Sequence, residues 1–439
     1  MEEILDNIYN SFNPQPLPAG DPAYVDCKEV RGDVDIVTDL GKRIHRSKDI
    51  TCYLYAGYRG SGKTTELNRL KAYLESKKFH VVYFDADIED ISTQDVEYED
   101  ILLACTRHIV EQIKEVDPKP ISDWLNDQWN SLKEFFDQQV KLNDLKIEAQ
   151  IQYFTKLTAT IRTEPSQRQR IREKVKPHTE TLISALNKFI DAAKDKLPEE
   201  RKQLIVIVDS LDRIVPNFKD NGRSNHDEIF LDRHEQLKAL RCHVLYTVPI
   251  SMVYSKSSTE VKDNYNFTQI LPSIMVKSSD QESYQPGLDK LKEAIHQRVK
   301  PHSGELDLET QIFESKEILE RMCLMSGGYM RDLIQLAQEA VNRTDELPIQ
   351  EKAVQRAIDE LRSVYQRAVE EPQWEALAYV HLTKEIKNEN FYRSLLFNRC
   401  LLEYRKSAEH SKNASTWYDV HPILLNTPKL EKAIETLKG

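Results

Sequence analysis

The sequence predicts an α/β fold in which a parallel β-sheet carries helices on both faces. Five short apolar runs rich in β-forming residues alternate with helical patterns. They span residues 50–56, 79–86, 204–209, 243–249 and 269–276. Strands that are apolar along their whole length are typical of parallel sheets, because both faces of such sheets are buried. The first run leads into a glycine-rich loop and then into a helical pattern (63–76) with its leucines on one stripe.

Length and composition exclude several classes of protein. The 439 residues carry a net charge of −11, with 40% hydrophobic and 30% charged residues. This balance excludes a wholly disordered chain, and the length suggests about three domains. No apolar run reaches the ~18 residues of a membrane helix, and the acidic N-terminus does not resemble a signal peptide. The six cysteines form no CxxC pair, which indicates reduced thiols. We expect a cytoplasmic protein that does not bind membranes.

Patterns along the chain predict six segments. They are an N-terminal segment (1–48), the first part of an α/β core (49–98), a mostly helical insertion (99–200), the second part of the core (201–309), a helical lid (310–368) and a C-terminal domain (369–439). Inside the insertion, apolar residues alternate from 145 to 161, which predicts a strand pair. In the C-terminal domain, helices at 372–387 and 391–397 precede a candidate hairpin. That order is typical of a winged helix.

Residues 57–64 fit the pattern GxxxxGK[ST] at every required position. The glycines let the backbone curl so that its N–H groups point at a β-phosphate, and the following helix adds partial positive charge there. Lys63 would reach the β- and γ-phosphates, and the Thr64 hydroxyl would complete a Mg²⁺ shell. The residues predicted to bind ATP are Gly57, Tyr58, Arg59, Gly60, Ser61, Gly62, Lys63, Thr64 and Thr65.

The third strand ends in a pair of carboxylates. Asp209, at the strand tip, would hold Mg²⁺ through its water shell. Asp212 is the carboxylate best placed to orient the attacking water, and a simple ion pair with Arg213 explains it equally well. We therefore name Thr64 and Asp209 as candidate metal-binding residues and Asp212 as a candidate catalytic residue.

Two further polar residues follow. Thr247 ends the fourth strand, where it would sense the γ-phosphate or bind the water; a buried threonine that merely fits the strand is nearly as good an explanation. Arg331 begins a helix after the Gly327-Gly328 break, from where its charge would lie over the phosphates. The alternative for Arg331 is an exposed ion pair with Asp332 or Glu339.

Together, the phosphate loop, Asp209 to Asp212, Thr247 and the lid before Arg331 resemble AAA+ ATPases over roughly residues 20–345. Within them, the chain looks most like the initiator-type ATPases and the STAND signal-transduction NTPases. The resemblance implies an αβα sandwich with strand order 5-1-4-3-2, Walker A and Walker B motifs, a helical lid, a winged-helix tail and nucleotide at a subunit boundary. It makes Thr247 sensor 1 and Arg331 sensor 2. It also places an arginine finger for the neighbouring subunit at Arg241, with Arg213 and Arg233 as rivals.

The sequence departs from that family at three places, one of which is the insertion at about 99–200 between the second and third strands. Most AAA+ members have glutamate where this chain has Ser210, so the usual water-polarising group is missing and slow hydrolysis is expected. Related proteins often carry Gly-Arg-Glu on the adenine side, whereas this chain reads Arg31-Gly32-Asp33. The segment from Tyr24 to Arg31 is therefore assigned to the adenine pocket by position only.

The resemblance implies an ATP-driven switch that acts through a homo-oligomer or a separately encoded effector, and such bacterial ATPases often belong to antiviral modules. Two alternatives remain open: a DNA-loading ATPase that binds DNA through its tail, and a scaffold that binds ATP without hydrolysing it. The basic residues of the tail are Arg393, Arg399, Arg405, Lys406 and Lys412. A denser basic run, at 168–176, is predicted to be a solvated helix.

Overall fold

The computed structural model describes residues 2–114, 116–135, 147–198, 203–220, 223–254, 258–387, 389–406 and 416–438. The chain divides into two compact units. The first unit comprises Met1–Ile36, Gly57–Arg69 and Ile270–Gly439, and the second comprises Val37–Ala56 and Leu70–Gln269. Within the described residues, no helix is both long enough and apolar enough to cross a membrane.

A five-stranded sheet forms the centre of the α/β fold. Its strands are β1 (Cys52–Gly57), β2 (His80–Asp85), β3 (Leu204–Asp209), β4 (His243–Pro249) and β5 (Phe267–Leu271). They are ordered β2-β3-β4-β1-β5, and β3 pairs in parallel with both of its neighbours. This arrangement confirms the predicted parallel sheet and its order 5-1-4-3-2. The fifth strand is shorter than predicted, because Pro272 lacks the backbone N–H that a continuing strand needs.

Helices are numbered in chain order. Those before β3 are α1 (Glu2–Ser11), α2 (Lys42–Arg46), α3 (Lys63–Ser76), α4 (Ala86–Glu89), α5 (Tyr98–Gln112), α6 (Lys119–Leu132), α7 (Ile147–Thr163), α8 (Pro165–Val175) and α9 (Thr179–Lys196). Those after β3 are α10 (Asn225–Asp227), α11 (His234–Leu237), α12 (Ile250–Val253), α13 (Ser258–Asn264), α14 (Gln285–Ser303), α15 (Lys316–Met325), α16 (Met330–Asn342), α17 (Glu351–Arg367), α18 (Gln373–Thr383), α19 (Asn390–Phe397) and α20 (Pro428–Lys438).

The strand pair predicted at 145–161 is wrong, because the described part of that segment is helix α7. From residue 152 onward, where side-chain burial is described, its buried residues are Phe154, Leu157, Thr158 and Ile161, which fall on one helical face. Phe154 does not belong to the alternating set, whereas Ala159, which does, is exposed. The period-two pattern was therefore a coincidence within a helix whose packing follows the 3.6-residue period.

The basic run at 168–176 also differs from its prediction as a solvated helix. Arg168 and Arg172 are only 5% and 2% exposed on α8. Arg172 forms ion pairs with Asp95 at 2.9 Å and Asp100 at 2.6 Å. Two arginines four residues apart share one face of a helix, so both can be buried together when carboxylates meet that face.

Two glycines separate α15 from α16. Gly327 and Gly328 have φ angles of +63° and +82°, in the left-handed region that favours glycine. A Cβ on Gly328 would lie 1.8 Å from the carbonyl oxygen of Ile274. The pair therefore breaks the helix where another part of the backbone approaches closely, as the sequence predicts for the lid.

The C-terminal part contains a small antiparallel strand pair. Strands β6 (Leu401–Arg405) and β7 (Thr416–Val420) run antiparallel from Leu401 opposite Val420 to Arg405 opposite Thr416. This pairing confirms the predicted strands, and Trp417 of β7 is buried. Helix α20 follows these strands and was not predicted. Lys412 lies outside the described residues, and the winged-helix assignment stays a prediction.

Candidate functional site

The glycine-rich loop joins β1 to α3 and is held by hydrogen bonds between its own residues. Gly60 and Gly62 have φ angles of +90° and +101°, which the absence of a Cβ permits. Lys63 is 5% exposed, and its Nζ donates hydrogen bonds to the carbonyl oxygens of Gly57 and Tyr58 at 2.8 and 2.7 Å. The hydroxyl of Ser61 donates to Tyr58 O at 2.8 Å. A buried ammonium group is thus held on the inside of the loop.

The loop has the features that a bound polyphosphate requires. Helix α3 begins at Lys63, so its unpaired N–H groups and positive dipole end lie beside the loop. Thr64 is half-buried in the first turn of that helix, the position from which a phosphate-loop hydroxyl contacts a metal that accompanies the phosphates. A Cβ added to Gly62 would meet only Arg31 Nη2, at 4.0 Å. These residues fit ATP with Mg²⁺.

Arg331 of the lid lies against the glycine-rich loop within the first unit. Its backbone N–H donates to Gly60 O at 3.1 Å, and a Cβ on Gly60 would lie 2.9 Å from Arg331 Cβ. The two carboxylates considered as ion-pair partners of Arg331 pair with other arginines. Asp332 pairs with Arg399 at 3.0 Å, and Glu339 pairs with Arg343 at 2.7 Å. Gly60 is therefore required both for its φ angle and for the approach of the lid.

The C-terminal strand pair also reaches the loop. Tyr58 is 1% exposed, and its hydroxyl oxygen accepts a hydrogen bond from the backbone N–H of Glu403 at 2.8 Å. Its ring packs edge-on against Tyr329, with the centroids 5.4 Å apart. The Glu403 side chain is buried and accepts from Arg405 Nε at 2.7 Å; burial raises the pKa of its carboxyl group. Tyr404 donates to Gly327 O at 3.1 Å, which joins the strand pair to the lid.

The N-terminal segment provides a third neighbour. Arg31 is 5% exposed, and its Nη2 donates to Ser61 O at 2.7 Å. Thr65 accepts from the N–H of Leu17 at 3.1 Å, and Tyr24 donates to Glu66 at 3.2 Å. The contacts from Arg31 and Glu403 to the loop were not predicted. A signal for the first was the unusual Arg31-Gly32 pair in a chain with only 12 glycines.

In the second unit, Asp209 is held firmly at the tip of β3. It is 1% exposed; Oδ1 accepts from the N–H of Ser210 at 2.6 Å and Oδ2 accepts from the Tyr83 hydroxyl at 2.8 Å. Ser210 has φ +67°, a left-handed conformation that non-glycine residues adopt mainly at turns and functional sites. Asp212 follows in this turn and is 7% exposed.

Arg213, the neighbour considered as a partner for Asp212, forms an ion pair with Asp87 at 2.7 Å. Thr247 is buried and connects β4 to the same turn. Its Oγ1 accepts from Leu211 N at 3.0 Å and donates to Val208 O at 3.3 Å. A hydroxyl has one hydrogen, so in this conformation Thr247 holds the turn and has no second proton to donate.

The finger candidate Arg241 is exposed and forms an ion pair with Asp191 of α9, and Lys194 donates to its carbonyl oxygen. Its rival Arg233 is half-buried. The structure thus gathers the phosphate-loop residues and Arg331 in the first unit, and Asp209, Asp212, Thr247 and Arg241 in the second. Among the described residues, no cluster of three or more His, Cys, Asp or Glu side chains is arranged to hold a metal by itself.

Comparison with known proteins decides the class of this domain. Residues 39–220 match the model of the KAP family P-loop domain. The chain carries a P-loop NTPase domain. The matched stretch contains the glycine-rich loop, Asp209 and Asp212, and the prediction of a P-loop NTPase is confirmed. A domain of this class implies nucleotide binding, typically with Mg²⁺. No curated protein matches the chain in sequence.

Several archaeal structures resemble the P-loop NTPase at low identity. The Aeropyrum pernix ORC2 protein, solved in ADPNP-ADP complexes, is 12% identical with a TM-score of 0.42, covering 98% of this chain and 96% of its own. The Pyrobaculum aerophilum Cdc6p is 11% identical with a TM-score of 0.41 and 98% coverage of both chains. The Walker-type ATPase PABY2304 of Pyrococcus abyssi is 13% identical with a TM-score of 0.40, covering 92% of this chain and 98% of its own. Likenesses at these TM-scores imply nothing about what this chain binds.

Proposed function

We propose that the protein is an ATP-binding switch of the AAA+/STAND type with slow, Mg²⁺-dependent ATP hydrolysis. Its nucleotide state would be passed through the lid and the C-terminal strand pair to a homo-oligomer or to a separate effector. One observation carries the proposal: the phosphate loop is contacted by three different parts of the first unit. These contacts are Arg31 to Ser61, Arg331 to Gly60 and Glu403 to Tyr58.

The contacts support a switch because each involves the loop that would close around the phosphates. A ligand shifts a conformational equilibrium only through contacts that differ between the two states. If the backbone of Gly60 and Ser61 moves when phosphates bind, the partners of their carbonyl oxygens must move or break. ATP and ADP would then favour different positions of the lid and the strand pair.

Slow hydrolysis follows from the acids in the second unit. Asp209 would hold Mg²⁺ through its water shell, and the bound ion would neutralise charge on the phosphates. Ser210 occupies the place of the usual glutamate and has no group that could orient water as a base. Asp212, two residues later in the same turn, is the carboxylate that we assign to this role, with Lys63 and Arg331 binding the phosphates.

Lys63→Ala tests the nucleotide site. Loss of a charged hydrogen-bond donor should raise the Kd for ATP by about 10- to 150-fold, the equivalent of about 1.5–3 kcal/mol. Lys77→Ala is the matched control, because Lys77 is exposed just beyond α3. Isothermal titration calorimetry measures both variants and the wild type. Wild-type affinity in Lys63→Ala would contradict the assignment of the phosphate loop.

A measurement of assembly separates the switch from its alternatives. The mass of the purified protein is compared with ADP and with a slowly hydrolysed ATP analogue, each with and without duplex DNA. Assembly that depends on nucleotide supports the switch, whereas assembly that depends on DNA supports the DNA-loading ATPase. ATP binding without measurable turnover supports the non-hydrolysing scaffold.

The pairing of the tail arginines makes the switch our first proposal. Arg399 pairs with the buried Asp332, and Arg405 pairs with the buried Glu403. Arg393 is 7% exposed. These groups are engaged within the protein, so fewer of them are available to DNA phosphates. A role in bacterial antiviral defence belongs to the same proposal and rests on the family resemblance alone.

A further inference from the structure

A tyrosine on the strand beside β3 holds the carboxylate of Asp209. The Tyr83 hydroxyl donates to Asp209 Oδ2 at 2.8 Å, while the N–H of Ser210 occupies Oδ1 at 2.6 Å. Asp209 is 1% exposed, so protein groups rather than bulk water fix the orientation of its carboxylate. Both oxygens of the carboxylate are therefore restrained before any metal arrives.

The register of the sheet brings these two side chains together. In the parallel pair of β2 and β3, Tyr83 lies opposite Ile207 and Asp85 lies opposite Asp209. Side chains two positions apart project from the same face of a sheet. Tyr83 therefore shares a face with Asp209 but starts two residues earlier along the strands, a separation that the length of a tyrosine can cover.

The backbone of Tyr83 is itself clamped. Gln112, the last residue of α5, accepts from Tyr83 N–H at 3.2 Å through Oε1 and donates to Tyr83 O at 3.0 Å through Nε2. Strand β2 is at the end of the sheet order, where backbone groups lack a neighbouring strand. At Tyr83, the Gln112 side-chain amide makes the two backbone hydrogen bonds that a neighbouring strand would otherwise make.

We propose that Tyr83 is a positioning residue of the magnesium site, which orients the Asp209 carboxylate for the water shell of Mg²⁺, and that Gln112 fixes Tyr83 in place. The inference rests on the proposed function, because it assigns Mg²⁺ to Asp209. The bond from Tyr83 to Oδ2 and the bond from the Ser210 N–H to Oδ1 fix the plane of the carboxylate, and that plane sets the direction in which it faces a water bound to the metal. Partners that orient a metal-holding group in this way commonly set metal affinity.

Tyr83→Phe tests the proposal by removing one oxygen atom. The measurement is binding of a slowly hydrolysed ATP analogue across a Mg²⁺ titration, and separately in excess EDTA. We expect the half-saturating Mg²⁺ concentration to rise by about 10- to 100-fold, with the affinity in EDTA unchanged. Tyr246→Phe is the matched control. Tyr246 lies on β4 of the same sheet, and the substitution removes a hydroxyl that donates to Leu237 O at 3.0 Å. Its Mg²⁺ midpoint should equal that of the wild type.

The possible results separate this inference from the proposed function. A wild type that binds nucleotide more tightly with Mg²⁺ than in EDTA, together with an unchanged or lower midpoint in Tyr83→Phe, overturns the role of Tyr83 alone. A wild type that binds no nucleotide overturns both proposals. If Tyr83→Phe does not fold, Gln112→Met keeps the hydroxyl and frees the Tyr83 backbone. That variant should raise the Mg²⁺ midpoint by a smaller factor, and an unchanged midpoint overturns the inference.

Discussion

Tyr58→Phe should loosen the C-terminal strand pair from the phosphate loop. The substitution keeps the aromatic ring that packs against Tyr329 and removes the oxygen that accepts from the N–H of Glu403. Glu403 has no exposed surface, so water cannot replace the lost acceptor unless the structure opens. Leaving a buried donor unpaired costs about 1–3 kcal/mol. The cost should fall on the region around Glu403.

Native-state hydrogen exchange at the Glu403 amide measures this effect directly. A penalty of about 1–3 kcal/mol corresponds to exchange that is roughly 5- to 150-fold faster. A local readout is preferable because a chain with two compact units need not unfold in a single transition. Tyr246→Phe, which removes a hydroxyl from the second unit, should leave exchange at Glu403 unchanged. If Tyr58→Phe leaves that rate unchanged as well, the hydroxyl does not hold the strand pair and the reasoning fails.

Two further predictions concern catalysis and pH. Asp212→Asn should lower ATP turnover by about 10²- to 10⁴-fold with ATP affinity preserved, as measured by single-turnover kinetics and equilibrium binding; unchanged turnover would assign the water to another residue. Burial lowers the pKa of His421 from 6.5 to about 4, so its neutral form stabilises the protein fully above pH 6.5 and this stability is lost as the pH falls towards 4. The loss is at most about 1.4 kcal/mol per pH unit. Urea midpoints at pH 7 and pH 5 should therefore differ less in His421→Asn than in the wild type, and equal differences would contradict the prediction.

The sheet could be predicted because its signal is local. Strand β3 and helix α3 have the predicted bounds, since an uninterrupted apolar run and a leucine stripe each define an element without reference to the rest of the chain. Strand β5 shows the limit of that signal. The apolar run continues to residue 276, but Pro272 ends the strand.

The insertion could not be predicted in the same way. Whether α8 is solvated depends on what meets its face, and Arg172 is buried because Asp95 and Asp100 come to it from more than 70 positions earlier in the chain. Helix α7 shows the same dependence. Its sequence contains apolar residues at a period of two and also an apolar face at the helical period. Which of the two sets is buried depends on the elements that pack against α7.

The contacts of the phosphate loop depend on residues that the motif leaves unspecified. The pattern requires Gly57, Gly62, Lys63 and Thr64, and these are the residues that phosphate and metal chemistry explain. The pattern accepts any residue at the four positions between Gly57 and Gly62. Three of these four residues make the contacts to other parts of the first unit. Tyr58 accepts from the strand pair, Gly60 from the lid and Ser61 from Arg31.

The fourth of these residues, Arg59, is exposed. A shift of the loop on phosphate binding would therefore move three acceptors at once, and each has its donor in a different segment. The required residues allow the loop to bind a nucleotide, but they do not determine what responds to it. That choice lies in Tyr58, Gly60 and Ser61, and for this reason Tyr58→Phe should uncouple the strand pair while leaving the phosphate-binding residues intact.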